Sequence, residues 1–193
     1  MKRILIWSIL VFFSVAGCRN TRLTSSETAP PPPPPLSGVP VISDANEHVW
    51  DFRDATTWLL GDIKPDKLLE SPWSTWYLKG YNEYVPEQKA VDELKSISKE
   101  GITITVVLGT WCPDSRREVP RFMKVMELWG FPTTEIRFIG VDIDKIAPLG
   151  DYPLLGIERV PTFVFYKNNI EEGRIIEVPV TSLEQDIINI LRR

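Results

Sequence analysis

Residues 102–130 read ITITVVLGTWCPDSRREVPRFMKVMELWG, and the change of pattern in the middle decides the fold. ITITVVLG (102–109) is apolar and rich in β-branched residues, which predicts a buried strand. DSRREVPRFMKVMELWG (114–130) predicts a helix. The loop between them carries Trp111 and Cys112 just ahead of the helix start, near Pro113 or Asp114. A helix start gathers unpaired amide N–H groups and the positive end of the dipole, so it favours negative charge. Cys112 therefore sits where a thiolate, the nucleophilic form, would be stabilised. Three residues on, where a redox pair would need its second thiol, stands Ser115.

The same change of period continues outward. EIRFIGVDID (135–144) predicts a second strand, and strand, helix, strand within this span predicts a right-handed parallel unit. TFVFY (162–166) and RIIEVPV (174–180), joined by KNNIEEG, predict an antiparallel hairpin. SLEQDIINILRR (182–193) ends the chain as an amphipathic helix capped by Ser182 or Thr181, with Arg192 and Arg193 at its negative end. Upstream, Pro86 opens a helix over 86–100 that Gly101 closes.

This order, with a cysteine between first strand and first helix, resembles the thioredoxin fold over residues 86–193. Trp111 before Cys112, Pro120 five residues after Ser115, and Val160-Pro161-Thr162 at the start of a strand carry the resemblance. It implies an α/β thioredoxin-like fold, with a central mixed four-stranded sheet flanked by helices, and a cis bond at Pro161. Two departures bear on activity. The family's Cys-x-x-Cys pair is here CPDS, and its buried acid six residues before the first cysteine is here Val106. Both losses point away from a self-contained dithiol cycle.

Thiolate attack on a disulfide gives a mixed disulfide whose release needs another thiol. A single Cys112 thus suits oxidoreductase or isomerase chemistry in which a thiol- or disulfide-containing protein or a small thiol supplies the partner sulfur. The Ser115 hydroxyl is placed to donate a hydrogen bond to that sulfur. Asp114 opposes charge there, and Arg116 and Arg117 offset it if they turn toward the site. The resemblance implies a docking surface of Trp111, Pro113, Val160 and Pro161, where Val160 backbone groups pair with an extended substrate. Trp111 has a plain packing reading as well. The competing function is a redox-inactive binding module that keeps the fold and recognises a peptide or protein. The peroxiredoxin pattern Pro-x-x-x-Thr-x-x-Cys is absent around Thr110.

The N-terminus supplies the setting. MKRILIWSILVFFSVAGC (1–18) has Lys2 and Arg3, an apolar run from Ile4 to Val15 too short for a comfortable membrane span, and small residues before Cys18. VAGC resembles the lipobox of bacterial lipoproteins, which implies a signal peptide over 1–17, a lipid on Cys18 and residence in the cell envelope outside the cytoplasm, the periplasm included. Residues 18–43 read as a tether, with six prolines from Pro30 to Pro35 forming a stiff spacer of roughly 19 Å. Among 193 residues, 22 Lys+Arg face 26 Asp+Glu, which gives no electrostatic basis for a nucleic-acid partner. The anchor, not charge, would hold the protein to its membrane.

Residues 44–85 read as a helical, aromatic-rich extension packed on the core. Asp44 is a candidate cap, and Val49, Phe52, Leu59 and Leu60 fall near one helical face. Trp73, Trp76, Tyr77, Tyr81 and Tyr84 read first as core and second as a recognition platform. His48 is the sole histidine and has no companions to hold a metal. Asp142 and Asp144 lie two apart at a strand end with Asp151 nearby, an arrangement read as solvated rather than as a cation site. The pattern assigns no metal and no cofactor.

Overall fold

The computed structural model describes residues 49–192. The signal, Cys18, the proline run, Asp44 and His48 lie outside the described residues. Five strands form one sheet in the order β1-β3-β2-β4-β5: β1 Gly61–Ile63, β2 Ile102–Leu108, β3 Ile136–Gly140, β4 Thr162–Lys167 and β5 Ile170–Ile176. β2 runs parallel to β3 and antiparallel to β4, while β1 on β3 and β5 on β4 are antiparallel. Helices α1 Ser74–Glu83, α2 Gln88–Lys95, α3 Pro113–Trp129 and α4 Leu183–Leu191 complete the regular elements.

The four expected strands are present, and the extension adds a fifth. Residues 49–60 are not the expected helix: they hold only a 3₁₀ turn at Ala55–Thr57 before β1. Val49 and Leu60 are exposed, so the proposed apolar face does not exist. The chain instead crosses the end of β3, where a Cβ on Gly140 would lie 2.0 Å from the Leu59 carbonyl oxygen. Only a glycine admits that crossing.

The hairpin differs in register from its sequence reading. Asn168 and Asn169 take φ of 51° and 66°, the two-residue turn that matches strand twist, so β5 starts at Ile170 rather than after the glycine. The second half of the expected strand, 177–180, lies beyond β5. β3 is also shorter than expected. Asp142 Oδ1 accepts the N–H groups of Asp144 and Ile146, closing a turn, so Asp142 and Asp144 are not neighbours on one strand face. Asp151 pairs with Arg137 at 2.6 Å, and no cluster of metal-ligating side chains exists among the described residues.

The terminal helix follows its reading, with Ser182 Oγ accepting the Gln185 N–H. α2 is shorter than 86–100 and begins after Glu87. The core between sheet and helices is dense. Phe122 of α3 stacks on Phe163 of β4 at 4.6 Å, and Val106 is fully buried among apolar neighbours. Trp73 and Tyr77 join this core, and Trp76, Tyr81 and Tyr84 pack against it.

Candidate functional site

Cys112 is the N-cap of α3, with φ −79° and ψ 124°, and Pro113 occupies the first helical position. Proline fits there because its missing N–H would have no intrahelical partner. The cysteine carbonyl accepts the Arg116 N–H at 3.1 Å, and the helix ends at Gly130 in the left-handed region. The thiol is therefore held at the positive end of a 17-residue helix.

The sulfur faces the Val160–Pro161 loop, whose peptide bond is cis as expected. Cys112 donates to the Val160 carbonyl at 3.3 Å, and the residue is 7% exposed. Val107, Ile139, Val141, Ala147 and Tyr152 pack around it. The expected docking residues are mostly inside: Val160 and Pro161 are buried, Trp111 is half-buried, and only Pro113 is exposed. The Val160 carbonyl, expected to meet a substrate, is occupied by the thiol itself.

Ser115 is fully buried one turn into α3. Its Oγ accepts the Gly109 N–H at 3.2 Å, which ties the start of α3 to the end of β2. Its main contact is thus with backbone, and its hydroxyl proton is not spent in that bond. Val106, at the family's buried-acid position, provides no proton acceptor.

The charges sort themselves. Asp114 pairs with Arg117 at 2.8 Å, so the acid nearest Cys112 is compensated. Arg117 also reaches the buried carboxylate of Glu118 at 2.6 Å, which takes a further bond from Arg121 at 3.2 Å. Arg116 has no carboxylate partner among the described residues and lies over the Phe52 ring at 4.7 Å. Burial pushes its guanidinium below the ordinary value, and the electrostatic influence of nearby Cys112 partly offsets this.

The sequence reading missed how the extension braces the cysteine loop. Thr110 is fully buried; its Oγ1 accepts the Leu59 N–H and donates to the Thr57 carbonyl, both at 3.2 Å. The same carbonyl accepts the Trp73 indole N–H at 2.8 Å. Trp111 donates to the Val141 carbonyl at 2.9 Å and packs against Trp58, their ring centroids 6.4 Å apart. Trp111 is thus a packing residue in this structure. Trp58 carries no sequence signal, because the pattern of its segment predicts a helix.

A strand ending in a cysteine-capped helix, opposed by a cis-proline loop on a mixed sheet, defines a thiol-bearing protein of the thioredoxin fold. A family model described as thioredoxin matches residues 74–186, and the chain belongs to that family. Thioredoxin H5 of Oryza sativa subsp. japonica is 26% identical over 102 residues, 52% of this chain and 71% of that protein. Among solved structures, oxidised thioredoxin O2 of Arabidopsis thaliana superposes with a TM-score of 0.36 at 19% identity, covering 53% of this chain and 84% of that one. A Pseudomonas aeruginosa protein of unknown function gives 0.40 at 16% identity, covering 62% and 79%. Oxidised mitochondrial thioredoxin 3 of Saccharomyces cerevisiae gives 0.34 at 17%, covering 58% and 97%. Family membership supports a thiol–disulfide redox role in general, since thioredoxin-like proteins act on thiol or disulfide substrates.

Proposed function

We propose that this protein performs thiol–disulfide exchange with one thiol, Cys112, through transient mixed disulfides, and that a lipid on Cys18 and the proline-rich tether hold it outside the cytoplasm of a bacterium. The observation that carries this reading is Cys112 at the N-cap of α3, 3.3 Å from the cis-proline loop, with serine three residues later. Cys112 stands at the positive end of α3, and Asp114 beside it is paired with Arg117. Cys112 attacks a client disulfide, one client sulfur leaves as thiolate, and the bond to the other persists until a second thiol displaces it. Ser115 supports the loop and leaves no internal thiol to cut the reaction short.

The redox-inactive binding module draws on a different observation, the 7% exposure of Cys112. Recovery of protein under acid-quenched, non-reducing conditions separates the two. Exchange predicts reductant-sensitive adducts that disappear in Cys112→Ser. Adducts equally abundant in the serine variant, or none in either protein, support the binding module. Cys18→Ala is expected to release the protein from membranes, and retention on membranes contradicts the anchor.

A further inference from the structure

A cleft of ≈ 310 Å³ opens between α1 and α3, lined by Trp76, Lys79 and Glu83 on one side and by Arg116 with Arg117 and Arg121 on the other. Its size lies near the lower end for small-molecule sites, which run from about 300 Å³. Three donors in its lining have no side-chain hydrogen-bond or ion-pair partner among the described residues, Arg116 being engaged only with the Phe52 ring. The Trp76 indole nitrogen is buried without a hydrogen-bond partner, and neither Lys79 nor Arg116 pairs with a carboxylate among the described residues. A buried donor left unpaired is destabilising, and an acceptor from a ligand would relieve that. The neighbouring acids are mostly spent: Asp114 and Glu118 are bound by Arg117 and Arg121, leaving exposed Glu83 as the one uncommitted carboxylate of the lining.

Arg116 lies one helical turn beyond the thiol-bearing residue. It is four residues from Cys112 on α3, hence on the same helix side, and its N–H bonds the Cys112 carbonyl. We propose that the cleft holds the carboxylate-bearing part of a small thiol that resolves the Cys112 mixed disulfide. A carboxylate in the cleft would meet the cationic Lys79 and Arg116, with the Trp76 indole in the same lining, and an ammonium on the same molecule would face Glu83.

The inference rests on the exchange reading and names its co-reactant. The small thiolate attacks the Cys112 sulfur, a new sulfur–sulfur bond forms, and the client leaves as thiolate. A second small thiol then attacks the small-molecule sulfur, releasing its symmetrical disulfide and regenerating Cys112. Two small thiols are oxidised for each client disulfide reduced.

Binding can be tested without redox chemistry by titrating the full chain with S-methylglutathione, a carboxylate-bearing thioether, while following the Trp76 indole N–H by NMR. A saturable shift is expected, with the dissociation constant raised at least about fivefold in Arg116→Gln. Lys79→Gln provides a second variant should the first misfold. No saturable shift, or equal affinity in wild type and both variants, overturns the proposal. Saturation by a thiol-free acidic peptide with no response to S-methylglutathione overturns it in favour of an acidic client segment. A saturable shift in a protein that forms no Cys112 adducts leaves the cleft standing and removes the exchange reading.

Discussion

The two flanks of Cys112 are built from opposite materials. On one side, Val141, Tyr152 and Val160 form an apolar wall, and exposed Ile143, Ile146 and Leu154 continue its loop to the surface. On the other, α1 brings Lys79 and an unpaired indole N–H, and α3 brings Arg116, to a cleft carrying cationic side chains. Apolar surface attracts partners without direction, whereas unpaired donors select an acceptor of defined charge. Under the proposed exchange, the difference would let one flank meet a polypeptide and the other a small anion.

The bracing side should be the more sensitive to small changes. Thr110→Val strands the Leu59 N–H and the Thr110-side bond of the Thr57 carbonyl, so a loss of about 1–3 kcal/mol is expected in the denaturant midpoint. The same variant should make Cys112 react faster with a bulky alkylating reagent, because the loop loses its tie. Unchanged stability would mean the extension is not coupled to the site. Gly80→Ala places a Cβ 2.7 Å from Pro120 Cγ where α1 meets α3, and a loss of about 1–3 kcal/mol is expected by thermal unfolding. A stability equal to wild type would show that the two helices separate easily.

The apolar flank should behave in the reverse way. Leu154→Ser at an 88% exposed site should alter stability by no more than about 0.5 kcal/mol while lowering the yield of client adducts on Cys112. Full adduct yield would remove this loop from client docking.

Much of this arrangement was legible along the chain. The strand-to-helix change at 102–130, the cysteine at the helix start and the proline loop all show as local signals, because each depends on residues near in sequence. The extension was not legible. Thr57, Leu59 and Gly61 act through partners on Thr110 and Gly140, far along the chain, and a three-residue strand has no period to detect. The hairpin register was missed for a related reason: Glu171 and Glu172 look like loop residues, yet the edge strand accepts them, and Glu171 is paired with Arg174 at 2.7 Å. Trp76 and Tyr84 read as packing residues in the sequence and pack on the core, but only the structure places them beside Arg116.

The smallest expected effect is on alkaline stability. Burial, with the charge of Glu127 adding to it, pushes the Tyr77 phenol from 10.0 up to about 12. A raised folded-state value means its contribution is fully present below the unfolded phenol value and declines as pH rises through the folded one. Unfolding midpoints should fall across that window, and less so in Tyr77→Phe. Parallel curves would assign the loss to other groups.

The central claim is that the fold activates Cys112 despite enclosing it, and the rate of its modification by a small alkylating reagent at neutral pH tests this most directly. Cys112 in the folded protein is expected to react faster than the same residue in urea-unfolded chain. A folded-state rate below the unfolded one would mean that α3 and the Val160 loop seal the sulfur rather than activate it.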